Sequence, residues 1–154
     1  MSNRALSPVV AIVLFLVITL VLAGTIGAVS VRSVSLHEPK QVAIDLSADA
    51  ATNRLTFTHR AGESLDVDDI DLEIRVNGEP LASQPPIPFF SADGFHAGPM
   101  GPFNSAADST WKNGEVTTLE LAETNAPLLE PGDEVVVRIV ENGALVAEIE
   151  TAVQ

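Results

Sequence analysis

Cysteine is absent from the 154 residues, which excludes disulfide staples, thiolate metal sites and thiol nucleophiles together. Whatever fold forms must rest on burial and backbone pairing. Basic residues are scarce as well, eight Lys and Arg against 21 Asp and Glu for a net charge of −13. Arg4 and Arg32 are the only charged residues before Glu38, so six basic residues face all 21 acids downstream. A surface that acidic repels nucleic acid and anionic headgroups, and both are excluded as partners of this part. The pattern Asn-x-Ser/Thr does not occur, which removes N-linked glycosylation. There is no glycine-rich phosphate loop and no serine in a nucleophile elbow. His37, His59 and His96 stand far apart without metal-ligand spacing, and "HRAGES" (His59 to Ser64) is a turn rather than a triad. Neither a cofactor nor an enzymatic activity is expected.

What is present begins with an apolar run. From Val9 to Val31 about 23 residues carry no charge, interrupted only by Thr19, Gly24, Thr25, Gly27 and Ser30. As a helix this run spans roughly 35 Å, enough for a bilayer core of about 30 Å. Ser7 can cap free backbone N–H groups and Pro8 suits the first helical position, so a start at Pro8 is predicted. Gly24 and Gly27 either allow close helix approach or local bending, or are glycines of the kind membrane helices ordinarily tolerate.

After Arg32 short alternating runs follow, the pattern of an antiparallel β domain. Val42, Ile44 and Leu46 share one face, as do Leu55 and Phe57, and Leu72, Ile74 and Val76 alternate with Asp71, Glu73 and Arg75. Asn77-Gly78 supplies the positive φ angles of a type I′ turn and should fold Glu79 to Leu81 back on the strand before it. Glu115 to Leu121, Glu134 to Val140 and Ala144 to Thr151 read as further strands, the last two joined by a turn at "ENG" (Glu141 to Gly143). About seven strands suggest an immunoglobulin-like β-sandwich.

Residues 82–113 break this rhythm. Pro85, Pro86, Pro88, Pro99 and Pro102 cannot donate to a ladder, while Phe89, Phe90, Phe95, Phe103 and Trp111 argue against disorder. The rings either cover an open end of the sandwich or form a contact surface for a neighbouring subunit or ligand. Asp66, Asp68, Asp69 and Asp71 in "DVDDID" are weak candidates for a calcium site, since the spacing lacks the glycine and terminal glutamate of a calcium loop.

The apolar run has three candidate fates: a cleaved secretory signal, a single-pass anchor, or retention after removal of a very short leader. The third rests on a resemblance. "RALSPVVAIVLFLVITLVLAG" (Arg4 to Gly24) resembles the N-terminal signature of archaeal type IV pilins, especially haloarchaeal ones, with their class III signal peptide. "LTFTHRAGESLDVDDIDLEIRVNG" is weakly similar to a strand, His-x-Gly-Gly turn and strand in those proteins, although Ala61-Gly62 departs from the paired glycines. Val10 stands where bacterial pilins carry a glutamate, as in archaeal members. Scarce lysine amid abundant acid likewise resembles proteins of salt-loving organisms.

The resemblance implies that a prepilin peptidase cuts between Ala5 and Leu6, with Arg4, Ser7 and Pro8 completing the recognised site. It implies residues 1–5 as a basic leader, 6–36 as a transmembrane and filament-core helix, and 37–154 as an acidic extracellular β-sandwich. The expected class is therefore α+β, a long apolar helix followed by an antiparallel sandwich. The implied function is a structural pilin subunit of an adhesive surface filament. Its implied partners are copies of itself, the prepilin peptidase, a pilus assembly ATPase with its membrane platform, and the cell membrane before assembly. A secreted or single-pass-anchored β-sandwich binding module that does not polymerise is the alternative.

Overall fold

A computed structural model describes residues 6–32 and 40–154, with the surroundings of side chains given for 8–22 and 40–154. The chain divides into two compact units, Met1–Glu38 and Pro39–Gln154. In the first, helix α1 is Leu6–Arg32. It starts two residues before the predicted Pro8, which the physics permits: the first four N–H groups of a helix have no intrahelical partner, so proline at the third position costs no hydrogen bond.

In the second unit nine strands are described: β1 (Val42–Asp49), β2 (Arg54–Gly62), β3 (Leu65–Asp66), β4 (Ile70–Val76), β5 (Glu79–Pro80), β6 (Thr110–Trp111), β7 (Val116–Glu120), β8 (Glu134–Glu141) and β9 (Ala144–Ala152). They form a three-stranded sheet in the order β1-β2-β7, a two-stranded sheet β3-β6 and a four-stranded sheet β5-β4-β8-β9. All these pairings are antiparallel. A parallel bridge between Ala48 and Val153 ties the end of β1 to the C-terminus.

The expectation of an α+β chain led by a long apolar helix over 6–36, followed by an immunoglobulin-like sandwich, is corrected. The structure is mostly β with mostly antiparallel sheets. Among the described residues no helix is long and apolar enough to cross a membrane. Among the described residues the core cluster runs from Ile44 to Val153 within the β unit.

Alternation decides which residues reach that core. In β4 Ile70, Leu72, Ile74 and Val76 are buried between more exposed polar neighbours, and Val135, Val137 and Ile139 repeat the pattern in β8. From the three-stranded sheet Leu55, Phe57 and Leu119 belong to the same cluster. Asn77-Gly78 and Asn142-Gly143 both take positive φ, at 51° and 81° and at 52° and 80°, and turn β4 into β5 and β8 into β9. Those are the dihedrals that match the twist of a two-residue hairpin.

The proline-rich excursion is an ordered part of this unit. Phe103 and Trp111 have no exposed surface, and their rings join those of Phe57 and His59 in one aromatic stack with centroids 5.1–5.5 Å apart. Phe89 and Phe95 are buried as a second pair 5.8 Å apart. The buried amide of Asn125 staples the segment down: its Nδ2 donates to the carbonyls of Ser83 and Gly94, and its Oδ1 accepts from the N–H of Ser83. Gln84 uses its side-chain amide to meet both backbone groups of Ile74. The excursion then runs along the open side of β7, where His96 N–H donates to the Glu120 carbonyl and Thr118 N–H to that of Met100.

Candidate functional site

The residues to which a function was assigned fall in different places. Arg4 and Ala5 lie outside the described residues, as does His37. Leu6, Ser7, Gly24 and Gly27 belong to α1, and only that membership is described. Pro8 is an exposed helical residue.

Between Val9 and Leu22 the side chains of α1 make an apolar surface with no polar face. The large hydrophobic residues there, from Phe15 at 71 % to Ile18 at 47 %, are all largely exposed within this chain, and they lie on every side of the helix. Thr19 is the one polar side chain in that stretch, and its hydroxyl donates to the Leu16 carbonyl at 2.9 Å, which hides its hydrogen-bonding capacity. Exposed apolar surface on all faces cannot be stable in water at about 25 cal/mol per Å². Such a helix calls for an apolar environment all round, supplied by lipid or by other helices.

The acidic cluster is a capped turn. Asp66 accepts from the N–H of Asp68 at the start of a short 3-10 turn, Val67–Asp69. Asp69 accepts from the amide of Asn142, and Asn142 N–H donates to the Asp69 carbonyl. Asp71 points outward from β4. Among the described residues no group of three or more His, Asp or Glu side chains could hold a metal ion.

Of the five rings named in the excursion, Phe89, Phe95, Phe103 and Trp111 are buried and Phe90 is exposed at 60 %. The Phe90 carbonyl accepts from the Gly98 N–H at 2.7 Å, two residues from Met100, the most exposed large apolar residue of the β unit. Beside them lies a groove of about 180 Å³ lined by Arg54, His96, Gly98, Pro99, Met100, Thr118 and Glu120. Glu120 meets the Arg54 guanidinium at 2.9 Å and stands 3.9 Å from His96 Nε2. These residues come from β2, β7 and the excursion, so no local motif announces them.

No protein-family model matches the chain, and no curated protein does.

Electrostatics adds little chemistry. The Asp49 carboxyl sits below the ordinary aspartate range because it accepts from the backbone N–H of Thr52 and then from the Thr52 hydroxyl, at 2.9 and 3.0 Å. Asp108 is lowered in the same way by the N–H of Thr110 and by Lys112. Both are turn caps at the surface. Arg138 lies between Glu73 and Glu148 across β4, β8 and β9, a cross-strand charge ladder on the outer face of the larger sheet. Nothing among these groups forms a nucleophile, base and orienting residue in contact.

Proposed function

We propose that this chain is a structural subunit of an archaeal type IV pilus-like surface filament used for adhesion. The observation that carries the reading is the uniformly apolar, exposed side-chain surface of α1 between Val9 and Leu22, attached in sequence to an acidic, independently compact β unit. Before assembly that surface is covered by lipid of the cell membrane, and afterwards by the same surface of neighbouring copies. Contacts of this kind run head to tail and do not close, which produces a helical polymer. A prepilin peptidase cutting between Ala5 and Leu6 releases the leader, and an assembly ATPase with its membrane platform drives incorporation. The acidic β unit faces the medium, where high salt screens its carboxylates.

Sequencing the N-terminus of the mature chain tests this directly. Leu6 as the first residue supports the filament reading. A first residue at Gly24 or Val31 means secretion, and an intact Met1 or Ser2 means a simple anchor. Electron microscopy of sheared surface material then separates a polymer from a processed β unit that binds ligands without polymerising.

A further inference from the structure

We propose that Lys40 and Glu141 form a mechanical clamp that holds the first strand of the β unit against tension arriving along the chain from its N-terminal side. Lys40 stands two residues before β1. Its Nζ donates to Glu141 Oε1 at 2.7 Å and to the Ser64 carbonyl at 3.1 Å. The same Glu141 oxygen accepts from the Asp66 N–H at 3.0 Å. One ammonium group therefore ties the start of β1 to the end of β8, to the connection between β2 and β3, and through Glu141 to β3 itself.

The pair differs in kind from the rest. Glu141 is 7 % exposed and Lys40 34 %, so the carboxylate is buried and the ammonium half-buried, whereas in every other ion pair among the described residues both side chains are at least 35 % exposed. Exposed pairs contribute little, while removing one partner of a buried pair leaves an uncompensated charge. The backbone beside it is fitted just as closely. Gln41 accepts from the N–H of Glu63, and a Cβ on Gly62 would stand 2.1 Å from the Gln41 carbonyl oxygen.

The placement gives the clamp its role. Any pull on the chain before residue 40 reaches the β unit there, whether the N-terminal unit is held in a filament or in a membrane. The β1–β2 ladder begins at Val42↔Gly62 and has a register shift between Ala43 and Ile44. Pulled from that end it would open one pair after another, which is a weak way to resist force. The ion pair stands ahead of the first rung and anchors it to the other sheet. Lysine suits the position because the buried carboxylate oxygen and the Ser64 carbonyl are both single acceptors for a compact ammonium.

Amide hydrogen exchange on the full chain tests the clamp. In Lys40→Met the amides of β1 and of Ala61 and Gly62 should exchange about tenfold faster, with those of Ile74, Val137 and Ile139 within twofold of wild type. Lys40→Arg should restore most of the protection, and Glu141→Gln should reproduce the local loss. In single-molecule pulling between the two termini, Lys40→Met should lower the force of the first rupture of the β unit and leave later ruptures in place. Unchanged exchange in β1, or equal acceleration in β4 and β8, would overturn the proposal. So would failure of both Lys40→Met and Glu141→Gln to fold, because the pair would then hold the whole unit rather than its first strand.

Discussion

Trp111 meets Phe103 nearly edge to face, with ring centroids 5.1 Å apart and planes inclined by 70°. Both come from the proline-rich excursion, and both are fully buried against Phe57 and His59. Truncating Trp111→Ala removes the larger ring and its N–H bond to the Glu115 carbonyl. The expected loss is about 3–5 kcal/mol of unfolding free energy, read from the urea midpoint. Phe90→Ala should leave that midpoint within about 0.5 kcal/mol, as expected for an exposed side chain. If instead Trp111→Ala folds normally and loses only assembly, the ring serves a contact outside its own unit.

Two glycines in left-handed conformations should respond differently to the same substitution. Gly78, with φ of 81°, has open space where a Cβ would stand, so Gly78→Ala should cost about 1 kcal/mol of backbone strain. At Gly101, with φ of 78°, a Cβ would lie 2.3 Å from the Val116 carbonyl oxygen. Gly101→Ala should add a steric term and cost about 3 kcal/mol in all. Equal thermal shifts for the two variants would show that the excursion yields freely from β7.

The lowered Asp49 carboxyl makes a pH prediction. Its folded state holds the proton more weakly than its unfolded state, so its contribution is fully present above the ordinary aspartate range of about 3.9 and disappears as pH falls through the lower folded value. Asp49→Asn should therefore be less stable than wild type near neutral pH, with the difference shrinking in acid. A difference that stayed constant from pH 6 down to pH 2 would contradict the Thr52 capping geometry.

Processing is tested by two substitutions at the N-terminus. Arg4→Glu, or Ala5 replaced by a bulky residue such as Trp, should leave an uncleaved precursor in the membrane fraction and no filaments. Normal filaments from either variant would refute the proposed function, while leaving the Lys40 clamp open to its own experiment.

Local patterns made much of the β unit legible. Asn77-Gly78 marked the turn into β5 because two consecutive positive φ angles demand such residues, and the alternation in "DIDLEIRV" marked the buried face of β4 because that face must be apolar. The rings of the excursion announced that it packs, but not which of them would be inside. Phe89 and Phe90 are neighbours with opposite fates: the Phe89 ring is buried against Phe95, a partner six residues on, and the Phe90 ring is exposed. Glu141 was similarly invisible: a glutamate before Asn-Gly reads as part of a solvated turn, and its burial depends on a lysine 101 residues away. The fold class went astray because an uncharged run declares helix and hydropathy, whereas class depends on what enters the core, and that core belongs to the sheets.

The backbone of residues 94–100 lies along β7 and takes up hydrogen-bonding groups that would otherwise face outward. In an array that displays many copies side by side, local concentration is high and an open strand edge would recruit its neighbour's. By occupying that edge from within, the excursion closes the β7 side of the three-stranded sheet to a strand of another copy.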